Sequence, residues 1–471
     1  MLRDLAPEPP ARTKIVATLG PASAQRDVLA GMVAAGVDVV RLNLSHGSHA
    51  SHRANLDLLA GIVAGVQTPV AALADLQGGK IRIGAVGPEG DGIDLAAGDR
   101  LVLATAAASR VDPCRATLSH QGLPDEVMAG DTVLLDDGRL RLQIEEVVDG
   151  EIRCRVAIGG RLLPHKGVNV PGRSISLPSL TPKDEADIAW LRENRVDMVA
   201  LSFVRNGDDL RRVRELLLPA TPLLIAKIER VDALRNFDDI LAACDGVMVA
   251  RGDLGLDIPI EELPMVQKDL VCRTMAAGKP VIVATQMLES MREEPLPTRA
   301  EVADVANAIL DGADALMLSG ETAVGRDPVG VVRMMNRIAR HTELSIHLRS
   351  RDAGGDTVDP VLLALADAAA AMVRRLPAAT LAIDGRDQGL ARLITRRVPR
   401  VDCVAGCIDA VQWRRLALDW GVRPLRLPQS DGQLDRAQLV AAVHGLGDIS
   451  PSTPLVVVGS EWGVIFDQVA G

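Results

Sequence analysis

Eight short apolar runs, each ending abruptly in polar, charged or glycine residues, limit what this chain can fold into. They read KIVATLG from Lys14, DVVRLNLSHG from Asp38, PVAALADLQG from Pro69, DMVALSFVRN from Asp197, PLLIAKIER from Pro222, DGVMVARGDLG from Asp245, PVIVATQMLES from Pro280 and DALMLSGET from Asp314. A strand covered on both faces reads as a continuous Val/Ile/Leu run. Eight of them alternating with helical segments predict an α/β fold of the (β/α)8 TIM-barrel type. On that fold the chemistry sits at the C-terminal ends of the strands, which is where these polar residues fall.

The third and fourth runs lie too far apart for one helix to join them. Residues 77–178 therefore form an inserted domain. Within it GDRLVLA, DTVLLDDGRLRLQIEEVV and EIRCRVAIGG alternate in polarity and are broken by Gly/Asp turns, which predicts antiparallel β structure placed to act as a lid. The barrel takes residues 13–76 and 179–345, behind a tail of residues 1–12. It resumes at TPKDEADIAWLREN, where Thr181, Pro182 and the acids after them mark a helix start. A polar, Gly-rich stretch at 348–360 reads as a linker. Residues 355–471 form a smaller C-terminal α/β domain with a mostly parallel sheet.

Three Phe, four Trp and no Tyr leave Ala, Val and Leu to fill the cores, and a net charge of −10 argues against a nucleic-acid partner. No run approaches the roughly 18 apolar residues of a membrane span, and the N-terminus shows no apolar signal-peptide core. Six scattered Cys without a CxxC pair read as reduced thiols, so a cytoplasmic location is expected.

Arg41, Asn43 and Ser45 follow one another at every second position at the end of run two, so a cation, an amide and a hydroxyl share one face, a suitable phosphate clamp. Lys227 and Glu229 repeat the device in IAKIE. Asp253 follows run six, and with Glu229 it forms a carboxylate pair suited to Mg2+, which takes one or two carboxylates and completes its shell with substrate oxygens and water. Gly252 allows close backbone approach, and the N–H groups opening the next helix can grip an anionic carboxylate. Thr285 and Ser319 bring hydroxyls to the ends of runs seven and eight, and Asp75 ends run three. His46, His49 and His52 recur every third residue in SHGSHASHR, which reads as a helix start with His46 near the site and the other two solvated.

Together RTKIVATLGPAS, RLNLSHG, HKGVNVPG, KIE, ARGDLG, ATQMLESM and PTRAEVADVANAILDGADALMLSGET resemble pyruvate kinase over nearly the whole chain. The resemblance implies phosphoryl transfer from phosphoenolpyruvate to ADP, giving ATP and, after protonation of the enolate, pyruvate. Lys227 would stabilise the migrating phosphoryl group and the enolate, and Arg41 would hold the phosphate. Glu229 and Asp253 would bind Mg2+, with Mn2+ as a substitute. Gly252 and Asp253 N–H groups with the Thr285 hydroxyl would seat the carboxylate. Asn43, Ser45, His46 and Arg82 would face the nucleotide, joined by Lys166 as the lid closes. The proton donor would be Thr285 or a water relayed by hydroxyls such as Ser319. A homotetramer is implied as well. A Mg2+-dependent lyase or aldolase acting on a pyruvate enolate, or a non-catalytic metabolite-binding relative, are the competing readings, and ATP production separates them from the kinase.

Family members that need K+ hold it at positions matching Asn43, Ser45, Asp75 and Leu76, and carry Glu where this chain has Lys80. Lys80 resembles the potassium-independent branch, where a tethered ammonium replaces the ion. Gly79 stands where that branch usually has Pro and is expected to loosen the entry to the lid. In the C-terminal domain the loop that binds sugar phosphate in many relatives reads DGRDQGLA from Asp384. It lacks hydroxyls and carries Asp384 and Asp387, so fructose 1,6-bisphosphate is not expected to bind there.

Overall fold

The eight apolar runs become eight strands, Lys14–Thr18, Val39–Asn43, Ala71–Asp75, Met198–Leu201, Leu223–Ile228, Gly246–Ala250, Val281–Ala284 and Ala315–Leu318. In the computed structural model, which describes residues 11–64, 68–86, 92–105, 114–345, 358–376, 379–428, 434–450 and 452–467, these strands pair in parallel with their sequence neighbours and close into a barrel. Both faces are buried. Val16, Leu73, Met198, Ile225, Met248, Ile282 and Met317 fill the interior, where Ala417 and Leu418 of the C-terminal domain join them. The helices cover the outer face, held at their ends by local chemistry. The helix Pro182–Glu193, for example, starts at a capping box between Thr181 and Asp184.

An aspartate precedes every second strand. Asp38, Asp197, Asp245 and Asp314 accept the backbone N–H of Ile15, Ala72, Leu224 and Val281 at 2.8, 2.9, 2.7 and 2.8 Å. Each carboxylate thus ties the start of one strand to the start of the preceding one. Two of these aspartates are also gripped from the C-terminal domain, Asp314 by Arg396 at 2.6 Å and Asp197 by Arg414 at 2.7 Å. That domain therefore docks at the barrel end opposite the strand C-termini. Among the described residues its own sheet has five strands, of which only the last, Gly463–Asp467, is antiparallel.

Between the third and fourth barrel strands the chain builds a seven-stranded closed barrel and a two-stranded sheet. The alternation in sequence anticipated antiparallel pairing throughout. One pair, Arg100–Ala104 with Arg115–Leu118, is parallel, because these strands are neighbours in the barrel without being the two arms of a hairpin. Gly79, expected to loosen the lid entry, stands at a close approach of two chain segments. A Cβ there would stand 2.3 Å from the carbonyl oxygen of Pro178, so glycine lets the chain entering the lid pass against the chain leaving it. Most of the proposed linker, residues 346–357, lies outside the described residues. Among those described, no helix is long and apolar enough to cross a membrane.

Candidate active site

Lys227 lies near the C-terminal end of strand five with its side chain directed into the barrel mouth. Its ammonium has three protons and three acceptors: Ser202 Oγ at 2.6 Å, Glu229 Oε1 at 3.0 Å and Asp75 Oδ1 at 3.2 Å. Burial alone would lower its pKa, but the charges of Asp75 and Glu229 outweigh burial and raise it. The lysine is therefore a fixed cation. Asp75, at the end of strand three, divides its two oxygens. Oδ1 faces Lys227 and Ser202, while Oδ2 accepts Arg41 Nε at 2.7 Å and Nη2 at 2.6 Å. Burial pushes its pKa up, and Lys227 and Arg41 bring it below the ordinary value. Arg41 Nη1 also lies 3.0 Å from Thr18 Oγ1. Two cations from strands two and five are thus aligned by one carboxylate from strand three.

Ser202 and Thr18 were not among the residues singled out in the sequence. A lone Ser or Thr at a strand end carries no periodic signal, and their roles depend on which strands become neighbours.

Glu229 is buried beside this pair. Its Oε2 accepts the Phe203 N–H at 2.7 Å, in a turn where Phe203 adopts φ +56°. Burial, and after it the charge of Asp253, raise the Glu229 pKa despite the neighbouring ammonium of Lys227. Two carboxylates that repel one another at the mouth fit a divalent cation, which would relieve both. Among the described residues no group of three or more His, Cys, Asp or Glu could hold a metal alone, so substrate oxygens and water would complete the shell, as Mg2+ prefers. A pH dependence follows. Because the Glu229 pKa lies above 4.5, protons compete with the cation at a higher pH than at an ordinary glutamate. Mn2+ affinity, followed by its EPR signal, is expected to fall as pH drops through the region above 4.5, with a proton released per ion bound. Constant affinity over that region would contradict the pairing.

Lys80, at the lid root, was expected to supply the charge of the missing ion. The structure puts its ammonium 2.6 Å from Asp253 Oδ1, 3.9 Å from Asp137 of a lid turn and 5.6 Å from the Phe203 ring centre. The lysine follows the entry to the lid, which runs past the end of strand six, so its nearest carboxylate is the candidate metal ligand. Leu76 is buried and apolar.

Thr285 ends strand seven. Its Oγ1 accepts the Gly252 N–H at 2.8 Å, which joins two of the predicted carboxylate-binding groups. Ser319 lies at the end of strand eight, where its N–H donates to buried Glu321 at 2.7 Å. Among the described residues its hydroxyl touches none of the Lys227 group.

The nucleotide-side residues are less closely assembled. Asn43 Oδ1 accepts the Ser45 N–H at 3.2 Å, and His46 is exposed. Arg82 lies on the lid strand Ile81–Val86 and Lys166 just before the strand Gly167–Asn169 that pairs with it, the first bonded to the His165 carbonyl at 3.0 Å and the second to Asp136 at 2.7 Å. Among the described residues neither contacts the barrel group. Of the other two histidines, both expected to be solvated, His52 corrects the expectation, whereas the His49 side chain is 42% exposed. His52 is buried with Nε2 on the His46 carbonyl at 2.9 Å. His49 is stacked on Trp190 and paired with buried Asp187 at 2.7 Å. The helix they begin packs against Pro182–Glu193, so both rings serve to anchor the loop after strand two.

The comparisons with known proteins agree with this geometry. The family model described as pyruvate kinase, barrel domain, matches residues 10–332. The chain is 42% identical over 423 residues to pyruvate kinase 2 of Synechocystis sp., covering 88% of this chain and 71% of that one. It is 41% identical to the pyruvate kinase of Thermococcus litoralis, with 93% of each covered. A solved pyruvate kinase from Cryptosporidium parvum superposes with a TM-score of 0.89 at 32% identity, over 98% of this chain and 96% of that one. Likeness of this extent, in sequence over most of the chain and in fold over nearly all of it, supports a single assignment: the chain belongs to the pyruvate kinase family.

Proposed function

We propose that this chain transfers the phosphoryl group of phosphoenolpyruvate to ADP, giving ATP and, once the enolate is protonated, pyruvate, the closing step of glycolysis. One observation carries the reading: Lys227 and Arg41 are held side by side on Asp75, next to the carboxylates of Glu229 and Asp253. Phosphoryl transfer needs positioning and charge stabilisation more than covalent chemistry. Arg41 holds the phosphate, and Lys227 follows the group in transfer and meets the charge left on the enolate oxygen. Glu229 and Asp253 hold Mg2+, which when bound neutralises charge on the substrate oxygens. The Asp253 amide and the Thr285 hydroxyl, with the Gly252 N–H once it is released from Thr285 Oγ1, seat the carboxylate. Asn43, Ser45 and His46 face ADP, and Arg82 and Lys166 approach it from the lid. Thr285, or a water held by hydroxyls such as Ser319, delivers the proton to the enolate carbon. The enzyme works as a cytoplasmic homotetramer.

A coupled assay with phosphoenolpyruvate, ADP and Mg2+ tests this reading. Equal amounts of ATP and pyruvate are expected. Pyruvate without ATP would point instead to a lyase.

We further propose that K+ is not required. Asp75 is already spanned by Arg41, Lys227 and Ser202, so its carboxylate is neutralised without a further cation. Replacing NaCl by KCl at constant ionic strength is expected to leave turnover within about twofold, because exposed charges respond to ionic strength and not to the identity of the salt. A large rise with KCl would contradict it. In the C-terminal loop Asp384 binds Arg386 through both oxygens, and Arg386 also reaches Glu461 at 2.8 Å. The cation of that loop is committed to acids, which supports the view that fructose 1,6-bisphosphate is not recognised there.

A further inference from the structure

Thr285 is β-branched yet sits at φ +72°, and Gln286 follows at φ +54°. The left-handed region costs a non-glycine residue on the order of 1–3 kcal/mol and is a true outlier for a β-branched one. Surrounding contacts must therefore hold this turn. Arg251, the first residue of the helix after strand six, supplies them. Its buried guanidinium donates from Nη2 to the Thr285 carbonyl at 2.7 Å and reaches Met287 Sδ at 2.8 Å. Its Nη1 lies 2.8 and 2.7 Å from the two carboxylate oxygens of Asp304, which projects from the helix Arg299–Asp311. The next residue, Gly252, donates its N–H to Thr285 Oγ1 at 2.8 Å. The end of strand six thus grips Thr285 at its carbonyl and its hydroxyl together.

We propose that Arg251 and Asp304 form a positioning pair that holds Thr285 in its left-handed conformation, with its hydroxyl set between the Gly252 N–H at 2.8 Å and the Ala284 carbonyl at 2.6 Å, from which it turns to the enolate. Asp304 fixes the guanidinium, the guanidinium fixes the carbonyl, and the carbonyl sets the direction of the side chain. Neither member touches the Lys227 group among the described residues. The pair therefore acts on protonation of the enolate and leaves the grip on the phosphate alone. This inference rests on the proposed role of Thr285, and the test separates the two.

In the full-length protein, Asp304→Ala, the near-isosteric Asp304→Asn, Thr285→Val and the Asp304→Ala/Thr285→Val double variant are compared for kcat, for KM of phosphoenolpyruvate and ADP, and for exchange of pyruvate C3 protons with solvent deuterium by NMR. Asp304→Ala is expected to lower kcat and C3 exchange about tenfold, a coupling in the range of residues in contact, with KM for ADP unchanged. Asp304→Asn, which keeps one acceptor oxygen, is expected to fall between it and the parent. The double variant should be no slower than Thr285→Val alone. Normal exchange in both Asp304 variants, with loss in Thr285→Val, would overturn the positioning pair. Normal exchange in Thr285→Val would overturn the role of Thr285 itself. Losses that add in the double variant would show that Asp304 acts by another route. If Asp304→Ala does not fold, Asp304→Asn alone decides between these outcomes.

Discussion

Lys227→Met abolishes ATP formation and leaves the chain folded: this is the largest effect the structure predicts. Methionine keeps much of the length of the side chain and removes the charge. A cation about 4 Å from an anion is worth on the order of 4 kcal/mol at an effective dielectric of 20, which corresponds to roughly a thousandfold in rate. The same charge serves the phosphoryl group and the enolate oxygen, so neither half of the reaction is spared. The fold survives because the acids left behind keep other partners. Asp75 retains Arg41 and Ser202, and Glu229 retains the Phe203 amide. Breaking a buried pair still costs about 3–5 kcal/mol, so the thermal midpoint should drop while the circular dichroism spectrum stays native. Near-normal turnover in a coupled pyruvate assay would refute the role assigned to Lys227.

Asp75→Asn should follow closely. The substitution preserves shape but removes the single charge that aligns Arg41 and Lys227. Misplacing a reacting group by about 1 Å can cost on the order of a hundredfold, and both cations are released together here. A fall of about that size in kcat is expected, together with a raised KM for phosphoenolpyruvate and little change in KM for ADP. Acid stability should change too. The pKa of Asp75 is depressed below 3.8 in the folded chain. Its ionised form therefore contributes stability that is present above the unfolded pKa and lost as pH falls through the folded one. That part of the acid transition should be missing from the asparagine variant, which would be less stable than the parent at neutral pH. An unchanged kcat would mean that Asp75 does not organise the site.

The barrel was legible because parallel strands buried on both faces write themselves as uninterrupted apolar runs, and all eight became strands. The functional pairs were legible where one strand carries them, as in Arg41 with Asn43 or Lys227 with Glu229, since alternation alone puts them on one face. What joins strands to each other was not. The sequence showed Asp75 as the end of a run, but its place between Arg41 and Lys227 depends on strand three lying beside strand two, and on how far strand five reaches across the mouth. Ser202, Thr18 and the Phe203 amide were invisible for the same reason. Lys80 was read by analogy as the replacement for a monovalent ion, and its pairing with Asp253 appears only once the path of the lid entry is fixed. His52 read as a solvated member of a polar run, yet the turn of its helix points it inward to the His46 carbonyl. The aspartates before every second strand stand openly in the sequence, but their bonds to the preceding strand appear only once the barrel closes.

If two cations and two acids from separate strands converge on an enol phosphate and pass its phosphoryl group to ADP, the transfer can be followed atom by atom. A 31P NMR time course with phosphoenolpyruvate, ADP and Mg2+ tests it most directly. The phosphoenolpyruvate resonance should fade while the γ-phosphate of ATP grows by the same amount, and Lys227→Met should show neither change. Loss of phosphoenolpyruvate with only inorganic phosphate appearing, or equal transfer by the Lys227→Met variant, would contradict the account.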